Sequence, residues 1–276
     1  MVSIVIPAHN EAAVIGRNLK RLLEGAEPGE FDVIVVANAC GDGTAEAAAA
    51  VPGVRVIDTP VPGKVPALRL GDEACRSFPR LYLDADVELT AESVRALVRA
   101  CARPGVLACA PVPELDLDRV GPIARRVHRV HHRLLTPTRA LAGVGVYVLT
   151  EAGHARVFPM PDVIADDGWV HTSFAPDERL VVSEARSLVR PARTVRSHLN
   201  RRVRVRRGNR QLAALRRPHS TGGEGGPGLG SLAGLLRRRE VSPLDAAAYL
   251  GVLVLDRTLS RVRRDKGGWG SDLSTR

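Results

Sequence analysis

The sequence predicts an α/β fold: a Rossmann-like, mostly parallel central sheet flanked by helices, with a helical C-terminal extension. Three observations carry this. Short runs rich in Val and Ile alternate with helical patterns from Val2 to Pro111, and that alternation predicts parallel strands covered on both faces. The chain has 276 residues, 45% of them hydrophobic, which suffices for one substantial core. From about Asp116 the pattern turns to longer, basic helices.

In order, Val2–Pro7 reads as a buried strand, Glu11–Leu23 as an amphipathic helix and Asp32–Ala37 as a second strand. Thr44–Ala50 is helical by its alanine content, Val54–Ile57 is a third strand and Val65–Ser77 a third helix. Arg80–Asp84 is a fourth strand, followed by a helix over Ala91–Ala102 and a strand over Val106–Pro111. Asp118–Leu135 reads as a basic amphipathic helix and Gly143–Leu149 as a glycine-bearing strand. Asp166–Phe174 is helical, and Thr194–Leu215 is a long arginine-rich helix. Residues 218–231 (PHSTGGEGGPGLGS) predict a flexible glycine-rich linker, and Leu232–Arg239 and Pro243–Arg264 close the chain as helices. The expected division is a catalytic domain over 1–217, with a donor half 1–115 and an acceptor half 116–217. The linker 218–231 and a helical extension 232–276 follow.

The net charge of +10 is concentrated. Twelve arginines and no carboxylate fall between Arg186 and Arg217, which points to an anionic partner: phosphate groups, nucleic acid or an acidic membrane face. The four cysteines show no C-x-x-C spacing, so they read as small buried hydrophobes in a reducing compartment. No basic leader precedes Val2–Pro7, and the longest apolar stretch, Ala246–Leu255, would extend only about 15 Å as a helix. A cytoplasmic protein is expected, docked at most peripherally on the inner face of the plasma membrane.

Chemistry gathers where the strands end, the place where such sheets bind ligands. Leu81-Tyr82-Leu83 leads into Asp84-Ala85-Asp86, two carboxylates that a turn can bring onto one hard divalent cation such as Mn²⁺ or Mg²⁺. Pro7-Ala8-His9-Asn10-Glu11 ends the first strand in a turn suited to lining a nucleotide pocket. After the second strand, Asn38 and Asp42 offer hydrogen bonds to a base or ribose, beside two glycines that permit close approach. Gly63-Lys64 opens a helix, where backbone N–H groups and an ammonium suit a diphosphate. Asp166-Asp167 pairs two carboxylates that can supply a general base. Each motif alone also fits an ordinary turn or helix cap.

Together these features resemble the inverting glycosyltransferases of family 2, over Val2 to about Leu212. The resemblance implies a GT-A type fold and hexosyl-type transfer from a nucleotide sugar, with a divalent metal. It places Pro7, Ala8, Asn10, Glu11, Asn38, Asp42, Lys64, Asp84 and Ala85 at the donor nucleotide. Lys64, Arg204 and Arg207 are expected at the diphosphate, the arginines through a loose match of Arg204–Gly208 to the family's Q-x-x-R-W segment. Asp84 and Asp86 would hold the metal, with His198 the candidate third ligand among the histidines. The family's E-D pair, whose aspartate is the base, is matched by Asp166-Asp167; position favours Asp167, and Asp166 stays open. Asn38 stands where the family's nucleotide turn has an aspartate.

The expected partners are a nucleotide-sugar donor and a hydroxyl acceptor, with a lipid-linked acceptor and an anionic membrane surface among the candidates and no nucleic acid. Two other classes compete. A sugar nucleotidyltransferase would open with a G-G-x-G-x-R loop, which Pro7–Glu11 is not. A non-enzymatic basic nucleic-acid-binding protein would leave the four aspartates without a role, and 3% aromatic content gives it few stacking platforms.

Overall fold

The computed structural model describes residues 1–135, 140–215 and 229–262. An eight-stranded sheet forms the centre, with the strands β1 (Val2–Ala8), β2 (Phe31–Asn38), β3 (Val54–Thr59), β4 (Arg80–Leu83), β5 (Glu88–Leu89), β6 (Ala108–Leu115), β7 (Val146–Leu149) and β8 (Arg179–Val189). Their order across the sheet is β3-β2-β1-β4-β7-β6-β8-β5. The first four in that order run parallel. β7 enters antiparallel between β4 and β6, so its N-terminal end arrives beside the C-terminal end of β4. β8 runs parallel to β6 and antiparallel to β5.

Helices cover both faces because the strands are apolar on both. On one side Ile15, Leu19 and Leu22 of α1 (Ile15–Leu23), Ala48 of α2 (Thr44–Ala49) and Val94 and Leu97 of α4 (Ala91–Cys101) pack against Ile4, Ile6 and Leu83. On the other, Val65 and Leu68 of α3 (Lys64–Glu73), Val157 of α6 (Glu151–Val157) and Val170 of α7 (Asp166–His171) pack against Val5, Tyr82 and Tyr147. Each such buried Leu, Ile or Val contributes about 1.5–3 kcal/mol by leaving water.

A third apolar cluster joins α5 (Pro122–Leu135), α8 (Val195–Ala214), α9 (Leu229–Arg237) and α10 (Pro243–Val262). Val127, Val130 and Leu134 of α5 meet Leu232, Leu235, Tyr249 and Val252, so the C-terminal helices share a core with α5 and α8. The expected linker lies outside the described residues up to 228, and α9 begins at Leu229, three residues inside it. Two arginines of the basic run are spent on this packing: Arg202 and Arg206 of α8 pair with the carboxylate of Asp256 in α10. Asp256 is buried, so the carboxylate depends on these two arginines for its charge complement.

Three elements, β5, β8 and α6, have no counterpart among those the sequence predicts. β8 is obscured by Arg179, Glu184 and Arg186 and by a bulge opposite Pro111 and Val112, which breaks its alternation. Among the described residues no helix is long and apolar enough to cross a membrane.

Candidate active site

The C-terminal ends of β1, β2 and β4 and the start of α3 meet in one cleft, and hydrogen bonds tie the turns to each other. Asn10, at φ 53, accepts from the Gly41 N–H at 2.7 Å through Oδ1. The Glu11 N–H donates to Thr44 Oγ1 at 2.8 Å, and the Ala12 N–H donates to Asp42 Oδ2 at 3.2 Å. Asn38 is 2% exposed; its amide donates to the Ala8 carbonyl at 2.8 Å and accepts from the Gly63 N–H at 3.3 Å.

Both ends of the Asn38 amide are engaged inward, joining β1, β2 and the start of α3. Ala85 is buried between the two aspartates, and its carbonyl accepts from Asn18 Nδ2 at 2.8 Å.

Asp84 and Asp86 follow β4. The Asp84 N–H donates to the Gly145 carbonyl at 2.9 Å and its carbonyl accepts from the Val87 N–H at 3.0 Å, which bends the chain. Burial, then the neighbouring charge of Asp84, raises Asp86 above the usual carboxylate range, with Arg201 and Lys64 opposing. A carboxyl pair held this way favours a cation between its members.

Lys64 is the centre of the cleft's electrostatics. Its Nζ lies 2.6 Å from Asp84 Oδ1 and 2.9 Å from Asp166 Oδ2. Burial disfavours the ammonium, but Asp166, Asp84 and Asp167 outweigh it and hold Lys64 above the ordinary lysine range. Asp166 is 5% exposed; burial pushes it up to about 6, against the lowering influence of Lys64.

The two carboxylates of α7 are held differently. Asp167 is half-buried, and its two oxygens accept from the Gly143 N–H at 2.5 Å and the Gly168 N–H at 2.7 Å. Behind them α8 packs tightly: a Cβ on Gly208 would lie 2.8 Å from Ala165 Cβ, so only glycine permits this approach. Gln211 completes the clamp, donating to the Asp162 carbonyl and accepting from the Ile164 N–H, both at 2.8 Å.

The expected outlying residues are placed unevenly. Arg204 and Arg207 are exposed on α8, whereas the arginine whose charge bears on Asp86 is Arg201. His198 packs edge-on against His128, ring centroids 5.0 Å apart, with His131 at 6.2 Å. Among the described residues no three His, Cys, Asp or Glu side chains group closely enough to hold a metal, so His198 is not in a preformed ligand set with Asp84 and Asp86. Gly145, beside Asp84, and Tyr147, two residues on in β7, carry no motif that marks them in the sequence.

Residues 3–144, just over half of the chain, match the family model described as Glycosyl transferase family 2. A mannosyltransferase from Pyrobaculum calidifontis, solved in complex with GDP-Man and Mn²⁺, is similar in fold. The similarity covers 96% of this chain and 81% of that one, at 20% identity and a TM-score of 0.59. Glucosyl-3-phosphoglycerate synthase from Mycobacterium tuberculosis, solved with Mn²⁺, UDP and phosphoglyceric acid, is similar over 69% of this chain and 68% of that one. There the identity is 22% and the TM-score 0.47. No curated protein matches the chain. With its mostly parallel mixed sheet, its strand-end motifs and the family match over residues 3–144, the chain belongs to glycosyltransferase family 2 and is a glycosyltransferase of GT-A fold.

Proposed function

We propose that the protein transfers a sugar from a nucleoside-diphosphate sugar to an acceptor hydroxyl, assisted by a divalent metal and with inversion at the anomeric carbon. The observation that carries this reading is Lys64, whose ammonium bridges Asp84 at 2.6 Å and Asp166 at 2.9 Å. A cation suited to a diphosphate, a carboxylate suited to a metal and the candidate base pair therefore share one cleft.

The residues fit Mn²⁺ or Mg²⁺: Asp84 and Asp86 supply hard oxygen ligands, and a cation counters both the burial and the Asp84 charge that raise Asp86. A metal held there would stabilise the charge that develops on the leaving nucleoside diphosphate. The fold relative with bound GDP-Man and Mn²⁺ supports the same assignment. Lys64 adds its ammonium, and α8 adds Arg201, with Arg204 and Arg207 on the same helix. The fixed turns at Pro7–Glu11 and Asp42 shape the nucleotide pocket.

Asp167 is the proposed base. Two backbone N–H groups orient its carboxylate, each oxygen keeps a second lone pair, and it is less sealed than Asp166. One base acting opposite the leaving group inverts the anomeric carbon. On the acceptor side, Arg129 of α5 and Arg196, Arg204, Arg207 and Arg210 of α8 are exposed, which suits an acceptor held at an anionic surface, lipid-linked acceptors included. Residues 1–217 form the catalytic domain in this proposal, buttressed by the C-terminal helices.

Thermal-shift measurements with a panel of nucleotide sugars test the reading. At least one should raise the melting temperature with Mn²⁺ present and lose that effect in EDTA, and its product should show the inverted anomer by NMR. No stabilisation by any nucleotide sugar or nucleoside diphosphate would overturn it. Sedimentation with anionic against neutral vesicles tests the surface.

A further inference from the structure

Two tyrosines face each other across β4 and β7. Tyr82 and Tyr147 are register partners, and their rings stack with centroids 4.9 Å apart. Tyr82 also stacks on Phe158 at 5.2 Å, so the ring stack is fixed from both sides. Their hydroxyls are treated differently. Tyr82 donates to Asp72 Oδ1 at 2.6 Å, whereas the Tyr147 hydroxyl is buried without a hydrogen-bond partner. A phenylalanine would fill the same space without burying an unmet hydroxyl, so the oxygen calls for an explanation of its own.

The register shows where that hydroxyl lies. Tyr82 and Asp84 project to the same face of β4, and Tyr147 lies on that face of β7, with Gly145 opposite Asp84. Burial acts most on the Tyr147 phenol, and among charged groups Asp166 acts most, ahead of Asp84 and Asp167. Asp166 Oδ2 is the complementary group. It too is buried and lacks an aligned hydrogen bond, and its polar contact is the Lys64 ammonium at 2.9 Å. One unmet donor and one acceptor held only by an ion pair thus lie on the same face of the sheet, the one that α3 and α7 cover.

We propose that Tyr147 is a positioning residue that takes over Asp166 when the donor binds. This rests on the reading above, in which Lys64 serves the diphosphate. As the ammonium turns to the phosphate oxygens, Asp166 would be left as a buried unpaired charge, which is costly. The Tyr147 O–H then donates to Asp166 Oδ2 and offsets that cost. Lys64 is thereby released to the donor, and Asp166 stays fixed beside Asp167. No covalent bond changes and no proton leaves the phenol; one hydrogen-bond donor replaces another.

Calorimetric titration of UDP and of GDP, each with Mn²⁺, into wild type, Tyr147→Phe, Lys64→Met and the double variant tests this. Loss of one hydrogen bond to a charged group should weaken nucleotide binding by Tyr147→Phe about ten- to a hundredfold. In the Lys64→Met background the same change should have little further effect, because no lysine is left to hand Asp166 over. The nucleotide-free Tyr147→Phe protein should melt no lower than wild type, which separates this role from a structural one. Unchanged affinity in Tyr147→Phe would overturn the inference, as would an equal loss with and without Lys64. A lower melting temperature of the free variant would overturn it too. Failure of wild type to bind either nucleotide would instead strike at the proposed function.

Discussion

The Asp84 N–H donates to the Gly145 carbonyl at 2.9 Å, and a Cβ on Gly145 would stand 3.2 Å from Asp84 Oδ2 and 2.7 Å from Val87 Cγ2. Gly145 also sits at φ +71, a conformation that disfavours every residue with a side chain. Gly145→Ala should therefore destabilise the protein by about 1–3 kcal/mol and displace the Asp84 carboxylate. Urea unfolding reads the first effect. Weakened Mn²⁺-dependent nucleotide binding reads the second, and unchanged binding would show that the turn tolerates the extra carbon.

Asn38 can be tested by an isosteric change. Its Nδ2 donates to the Ala8 carbonyl, so Asn38→Asp would set a carboxylate oxygen against that carbonyl in a buried place. The expected loss is about 2–3 kcal/mol in urea unfolding near neutral pH, and it should shrink as the new carboxyl is protonated in acid. This explains why an amide stands here: it is a joint between β1, β2 and α3, and a change of base selectivity is not needed to account for it.

Asp86 separates a metal role from a structural one. It is raised by burial and by Asp84, so Asp86→Asn removes a repulsion in the free protein and should leave the melting temperature equal or higher. Stabilisation by Mn²⁺ with a nucleotide should be lost at the same time. A variant that keeps full Mn²⁺ response would remove Asp86 from the proposed metal site.

The base pair makes a fourth prediction. Asp167→Asn should lower kcat by about 10²–10⁴ while nucleotide binding stays near wild type, because the amide cannot accept the acceptor's proton. Asp166→Asn removes a partner of Lys64 and should act mainly on nucleotide affinity. If the two patterns came out reversed in steady-state and binding measurements, Asp166 would be the base.

What could be read in advance was local. A strand running into Asp84-Ala85-Asp86 and a glycine opening α3 at Lys64 are patterns within a few residues, and they sit where expected. The unreadable part was set by pairing across the sheet. Gly145 and Tyr147 matter because β7 runs antiparallel beside β4 in one particular register, which no short window of sequence encodes. The same holds for Lys64 and Asp166, about a hundred residues apart in the chain and 2.9 Å apart in space. The arginine run does not act as one block: Arg202 and Arg206 pair with Asp256, while the charge of Arg201 acts on Asp86. One helix distributes its charges over several partners.

His198 carries the pH dependence. Burial, reinforced by His128, Arg202 and Arg201 against Asp256, pushes its imidazole down to about 4 from the ordinary 6.5. Between those values the unfolded chain takes up the proton and the folded one does not, so stability is complete above the upper value and falls as pH drops toward the lower. The loss at about pH 5 relative to about pH 7.5 should be roughly 2 kcal/mol for this residue. Burial likewise lowers His128 and adds to the effect, whereas the raised Asp166 works in the opposite direction, gaining stability as pH falls through about 6. The clean measurement is therefore a difference. Urea unfolding of wild type and His198→Gln at both pH values should show the wild type losing about 2 kcal/mol more than the variant. Equal losses would place the histidine cluster in contact with water rather than in the core between α5 and α8.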